Sequence, residues 1–277
     1  MRILHLSSEC APWAKSGGLG DVVGALPDGL IRAEEGVQCA VVLPLYRAAK
    51  EALNERGLSL VDTGIIADVN LGNVTARVRY LRLDREGKAT VFFAACDAAY
   101  DRDGIYGHSD DGERFILLCK ATVGVAKQLM GGEPDILHTH DWHAALAAAL
   151  VQTSARALLP NTKTVLTLHN LAYQGVFSKE LVPISGLGWE HFNMECAEWH
   201  DHLSLLKAGI ALADAVTTVS PTYAREIRTP KFGANLDGFL RRRRLYGILN
   251  GIDTEEWNPA NDPHVQGSWS ADDLSGK

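Results

Sequence analysis

The sequence is poor in the features that mark several protein classes. Its 277 residues include five cysteines, at positions 10, 39, 96, 119 and 196, and no two form a C-x-x-C pair. An odd, scattered set is neither a disulfide framework nor a zinc signature, and it suits a reducing compartment. No apolar run reaches the roughly 18 residues that a membrane-crossing helix needs. The first apolar stretch, RILHLS (2–7), ends too soon for the core of a signal peptide, so a cytoplasmic protein with no membrane partner is expected. Positive charge is outweighed: the formal net charge of −7 argues against a nucleic-acid partner held by many phosphate contacts. The one basic run, RRRR (241–244), reads as a solvated helix end or loop, with a polyanion patch as the alternative.

What is present is an ordinary apolar share, 46%, set out as short β-rich runs between helix-like stretches. RILHLS and QCAVVLP (38–44) read as strands, the second buried on both faces as parallel strands usually are. VTARVRYLRLD (74–84) and ATVFFAACD (89–97) flank a turn-like REGK, which predicts an antiparallel hairpin. Further strands are predicted within 135–140, 162–170, 215–220 and 246–251. Helices are predicted over 22–35, 113–129, 142–153 and 204–215, and from Pro221 onward. The alternation predicts an α/β fold, a Rossmann-like, doubly wound parallel sheet with right-handed crossovers and an inserted antiparallel β-hairpin. Residues 252–277 are polar and rich in turn formers, as in a linker.

In such sheets ligands bind beyond the carboxyl ends of the strands, and four polar segments fall there. In PWAKSGGLGDVVGALP (12–27), Gly17, Gly18 and Gly20 let a ligand approach main-chain N–H groups. A helix beginning near Asp21 points its positive end at the same spot, and Lys15 adds a full charge, so a phosphate or pyrophosphate is the expected guest. The Walker pattern fails because Lys15 precedes the glycines. The dinucleotide fingerprint fails at Val23 and in the missing ribose-binding acid, which weakens an oxidoreductase reading. A plain glycine-rich turn with a surface lysine accounts for the same residues.

HTHDWHA (138–144) raises a metal reading through His138, His140 and His143. The first two lie on a strand and the third past the turn, where Asp141 is a good N-cap, so a polar sugar- or phosphate-facing site and ordinary capping rank ahead. In LHNLAYQG (168–175), His169 and Asn170 can donate to and accept from hydroxyls, and an aromatic face suits the C–H side of a sugar. A buried, satisfied His169 is the alternative. LNGID (249–253) is, by itself, a turn.

These segments, with LLKAGIALADAVTTVSPTYAREI (205–227) and in this order, closely resemble bacterial glycogen synthases and plant starch synthases. Those are retaining GT-B glycosyltransferases that extend α-1,4-glucans. The resemblance covers nearly the whole chain and implies that residues 1–251 form an N-terminal acceptor domain facing a second Rossmann-like domain across a cleft. Residues 252–277 would then be the interdomain linker and the start of that second domain. By the same likeness Lys15 contacts the sugar nucleotide, Gly17 and Gly18 allow its close approach, and Asp21 helps position the glucose. Asp141 and Trp142 line the acceptor side, and Tyr100 in DAAYDRDG borders the acceptor channel. His169 and Asn170 face the anomeric carbon, and Asn250 lies near the phosphates. Lys15, His169 and Asp21 are the implied catalytic set.

The implied reaction, in glycogen biosynthesis, moves glucose from ADP-glucose to the non-reducing end of a glucan such as glycogen or a maltooligosaccharide, with retention. The family implies no metal and no resident cofactor. Its phosphate-gripping Arg and Lys and its paired acids belong to the second domain, so weak or absent turnover is expected from this chain alone. A non-catalytic glucan-binding module is the alternative.

Overall fold

The computed structural model describes residues 1–254 and 257–277; the predicted linker therefore includes residues 255 and 256, which lie outside the described residues. Strand β1 (Arg2–Leu6), helix α1 (Gly18–Ala33), β2 (Gln38–Pro44) and α2 (Arg47–Glu55) open the chain. Strands β3 (Val61–Asn70), β4 (Thr75–Leu83) and β5 (Thr90–Ala95) lead to a short α3 (Asp97–Tyr100) and the long α4 (Asp111–Leu129). After β6 (Ile136–His140), α5 (Asp141–Gln152) and β7 (Lys163–Leu168) comes an irregular excursion. It contains β8 (Val176–Ser178), α6 (Val182–Ser185), β9 (Glu198–Trp199) and β10 (His202–Ser204). Helix α7 (Leu205–Leu212), β11 (Ala215–Thr218), α8 (Pro221–Glu226), α9 (Asp237–Arg241) and β12 (Leu245–Gly247) follow.

Nine strands form one sheet in the order β12-β11-β7-β6-β1-β2-β5-β4-β3, and β8-β10-β9 form a small second sheet. From β12 through β5 every pairing is parallel, as the strand–helix alternation requires. The predicted hairpin forms as β4 and β5, but it is continuous with the main sheet because β5 also pairs with β2. It gains an outer strand, β3, antiparallel to β4, that the sequence reading did not place. β3 is an edge strand with mostly exposed or half-exposed side chains and a register shift between Asp62 and Ile66. Its apolar signal is correspondingly weak.

Side chains alternate between the two faces of the sheet. Ile3, Cys39 and Ile136 pack with Leu30 and Ile31 of α1 on one face. The next residues in step, His5 on β1 and His138 on β6, stand on that same face, directly opposite each other. The other face carries Leu4, Leu6, Val42, Leu137 and Leu166, all fully buried under the main core. There α5 packs between α4 and α7. The contact with α7 is close because Gly209 has no side chain: a Cβ at 209 would sit 2.7 Å from the Ala145 Cβ. Among the described residues no helix is long and apolar enough to cross a membrane.

Candidate active site

Chain direction across the sheet reverses at β1, which lies between β2 and β6. The loop after β1 and the turn after β6 meet beyond that switch point, where an open parallel sheet leaves room for a ligand. In the β1 loop the organising residue is Glu9, which is only 3% exposed. Its carboxylate accepts hydrogen bonds from Ser16 N (2.6 Å), Ser16 Oγ (2.7 Å), Gly17 N (3.1 Å) and Tyr106 Oη (2.7 Å). This corrects one expectation: the amides of residues 16 and 17 face a carboxylate of the protein and do not stand bare for a phosphate.

Helix α1 starts at Gly18, ahead of the expected position, and Gly17 is its N-cap with no side-chain hydrogen bond. Neither Gly17 nor Gly18 adopts positive φ, but a Cβ at either would meet nothing within 4 Å, so the space for close approach is there. Lys15 Nζ sits 2.6 Å from Asp21 Oδ1, with both side chains partly exposed. The predicted cation and carboxylate are thus ion-paired with each other at the mouth of the loop.

Across β1, β6 and β7 runs a file of imidazoles. His5 Nδ1 lies 3.3 Å from His140 Nε2, and His140 Nδ1 lies 3.1 Å from His169 Nε2. His138 turns its Nε2 to Thr167 Oγ1 (2.7 Å), which in turn meets Thr217 Oγ1 (2.7 Å). Burial disfavours the charged form of each ring: His138 is pushed down to about 3, His169 to about 4, and His5 and His140 well below the usual value.

The trio suggested for a metal is not the one that assembles. His143 lies against Tyr106 and Trp142, with ring centroids 4.6 and 4.0 Å apart, and His5 takes its place beside His138 and His140. The rings of His138 and His140 are stacked, 4.3 Å apart and 26° from parallel. Ring-plane lone pairs of stacked imidazoles run side by side, which suits a hydrogen-bonded stack better than convergence on an ion.

Asp141 also departs from expectation. It is the first residue of α5, with φ of 54°, and His140 is the N-cap. The left-handed backbone swings its carboxylate off its own helix and onto the end of β7. There Oδ1 accepts from His169 N (2.7 Å) and Asn170 N (3.4 Å). Burial raises its pKa to about 7, against the pull of those two N–H groups and with a smaller push from the Glu9 charge. A carboxyl group raised in this way costs the folded state progressively more as pH climbs from the unfolded value toward 7. Replacing Asp141 with Asn should therefore gain about 1 kcal/mol on wild type between pH 6 and pH 8 in urea unfolding. A pH-independent difference would show that the carboxyl titrates normally.

Beyond the β7 turn opens a cavity of about 450 Å³ walled by Trp142, Tyr173, Gln174, Phe177, Trp199 and Asn235. Tyr173 is 66% exposed, and Gln174 donates to Ala234 O (2.8 Å) while its own Oε1 is buried without a partner among the described residues. Gly175, at φ 56°, crosses so close over the Trp142 indole that a Cβ would lie 2.4 Å from Cε3. Lys15 and His169 are not among the walls, so this aromatic cavity and the Lys15–Asp21 pair are separate parts of the region.

Tyr100 must be withdrawn from the acceptor side. It is fully buried, its hydroxyl donates to Arg114 O (2.9 Å), and its ring packs edge-on to Tyr46. Asn170 and Asn250 are both exposed, Asn250 beyond the end of β12. In the arginine run, Arg241 pairs with Asp237, Arg242 with Glu195, and Arg243 donates to Ala211 O, so much of its charge serves the fold. Glu9, His5 and Tyr106 were not singled out from the sequence. His5 left a signal, a polar residue inside an apolar strand; Glu9 and Tyr106 left none, because their partners are remote in sequence or lie in an irregular loop.

A sequence model of the starch synthase catalytic domain matches residues 2–242. The chain belongs to that family. Over its whole length it is 45% identical to a glycogen synthase of Anaeromyxobacter dehalogenans and 41% identical to glycogen synthase 1 of Geobacter metallireducens. It spans 57% and 56% of those two proteins, respectively. Among solved structures it is similar to the catalytic domain of starch synthase IV from Arabidopsis thaliana bound to ADP and acarbose. The TM-score is 0.85 at 32% identity, over 99% of this chain and 56% of that one.

Proposed function

We propose that this member of the starch synthase family works in α-1,4-glucan synthesis, with residues 1–251 as the glucan-holding, acceptor-side domain of a GT-B glycosyltransferase. The reaction is transfer of glucose from ADP-glucose to the non-reducing end of glycogen or a maltooligosaccharide, with retention, in the cytoplasm. The observation that carries the reading is the aromatic cavity beyond the β7 turn. Trp142, Tyr173 and Trp199 supply ring faces for sugar C–H groups, and Gln174 adds an unmet acceptor. The starch synthase IV relative, bound to ADP and acarbose, supports both a nucleotide and a glucan as ligands.

In this reading Lys15, with the positive end of α1 behind it, stabilises negative charge on the departing diphosphate. Asp21, now paired with Lys15, exchanges that contact for the sugar when the donor binds. Gly17 and Gly18 leave room for the donor. His169 and Asn170 face the transferred glucose, and Asp141 sets their backbone. Asn250 lies toward the phosphates.

Calorimetric titration of the chain with maltooligosaccharide tests the glucan site. Binding is expected, and Tyr173→Ala should weaken it by about 1 kcal/mol, roughly five-fold in Kd. No measurable binding would sink the acceptor assignment. The alternative, a glucan-binding module without turnover, predicts the same titration but no product on addition of ADP-glucose when the chain is extended to its relatives' full length.

A further inference from the structure

A neutral imidazole has one N–H and one lone pair, so in a file of hydrogen-bonded imidazoles every contact must run the same way. His140 uses both of its nitrogens in such a file, Nε2 toward His5 Nδ1 and Nδ1 toward His169 Nε2. Two arrangements are possible, and they differ at the ends. If the N–H groups point inward, His5 Nε2 carries a hydrogen and His169 Nδ1 is a bare lone pair. If they point outward, His5 Nε2 is bare and His169 Nδ1 carries the hydrogen.

The inner end decides between them. His5 is fully buried, and its Nε2 has no hydrogen-bond partner among the described residues. A donor stranded in a dry interior is rarer than an acceptor short of a partner, so the bare nitrogen belongs there. We infer that His5 and His140 are positioning residues that hold His169 as its Nδ1–H tautomer, so that the ring offers a hydrogen-bond donor, and not a base, to a ligand oxygen.

The surroundings agree. Asp141, the carboxylate bonded to this segment, accepts from the main-chain N–H groups of His169 and Asn170 and not from the ring. His138 has its own partner in Thr167 and takes no hydrogen bond from the file. His169 is half-buried, and its Nδ1 makes no hydrogen bond to any described residue, which leaves that atom for the ligand. The ligand atom it selects is an acceptor, a sugar hydroxyl oxygen or a phosphoryl oxygen. A base at His169 is precluded because its one lone pair already accepts from His140. The tautomer follows from the file alone; only the identity of the ligand rests on the proposed function.

Long-range proton–nitrogen NMR of the chain with 15N-labelled histidine reads the tautomers directly. His5, His140 and His169 should all show a pyrrole-type Nδ1 and a pyridine-type Nε2, against the Nε2–H form that unconstrained histidines favour. A pyrrole-type Nε2 at His169 would overturn the inference. His5→Leu removes the head of the file, and His169 should relax to a mixture of tautomers. If it stays wholly Nδ1–H, His5 has no positioning role. His5→Gln guards against a folding failure, since its amide can donate in the same place and should preserve the wild-type pattern; a scrambled pattern would count against the file. Titration with maltotriose or ADP is a separate arm. A shift at the His169 Nδ1–H supports the ligand reading, and silence toward both sinks that reading without touching the tautomer.

Discussion

Acidification from pH 7 toward pH 4.5 should unfold this chain abruptly, and histidine protonation should be the cause. Burial keeps His5, His138, His140, His143 and His169 neutral in the folded state. Unfolded, each takes up a proton near its usual pKa of about 6.5. Below that pH the unfolded chain binds more protons than the folded one, so stability is intact above about 6.5 and is lost as pH falls toward the folded values. Each histidine contributes up to about 1.4 kcal/mol per pH unit in that window, or about 7 for the five.

Asp141 works the other way. Raised to about 7, it holds a proton in the fold that the unfolded chain does not bind until its ordinary carboxylate range. The net slope is then about 5 kcal/mol per pH unit, set against a typical domain stability of about 5–15 kcal/mol. Far-UV circular dichroism followed against pH should show a steep transition between about pH 6 and 4.5. Unfolding delayed until the carboxylate range would mean that these rings titrate normally.

Glu9→Ala should be the most damaging single substitution in the β1 loop. It removes the shared acceptor of Ser16 N, Ser16 Oγ, Gly17 N and Tyr106 Oη. Hydrogen bonds to a charged group contribute about 1.5–3 kcal/mol each, and they share one carboxylate, so the total loss should be about 4 kcal/mol. Glu9→Gln keeps the shape and one good acceptor but turns an NH2 toward donors, so an intermediate loss is expected. Urea unfolding gives the energies, and limited trypsin digestion reports on the loop. Cleavage after Lys15 should speed up in the order wild type, Gln, Ala. Wild-type behaviour in both variants would show that something other than Glu9 shapes the segment.

The first prediction rests on burial created by the whole fold, and the second on a loop that folds back on itself and on the remote Tyr106, both of which single-sequence reasoning reads poorly. Strands β1, β2 and β6 were legible because a strand buried on both faces is a dense apolar run between turn formers. The helix over 113–129 was legible by its length, although the first helix starts at Gly18 and not at 22. The α2 and β3 elements were not: α2 is nine residues long and buries only Ala49 and Leu53, and β3 is an edge strand whose side chains are mostly exposed.

In the candidate site the glycine-rich loop, the HTHDWHA turn and the LHNLAYQG turn do meet beyond the carboxyl ends of the strands. Their internal chemistry was hidden. Nothing local says that the carboxylate at 9 takes the amides at 16 and 17, or that Asp141 serves the end of β7 and not its own helix. Tyr100 was misplaced for a related reason: a motif match locates a residue along the chain, not which way its ring points.

One carboxylate oxygen of Asp141 clips the backbone of His169 and Asn170 to the turn whose next residue is Trp142. On the proposed reading, the ring that would meet one end of the ligand and the indole that walls the cavity are thereby fastened to a common hinge pin. If the cavity holds glucan as proposed, attempts to re-tailor one wall, for a longer or branched glucan for instance, will disturb the other. Variants that change preference for the acceptor without altering reactivity should accordingly map to Tyr173 or Trp199 rather than to Trp142.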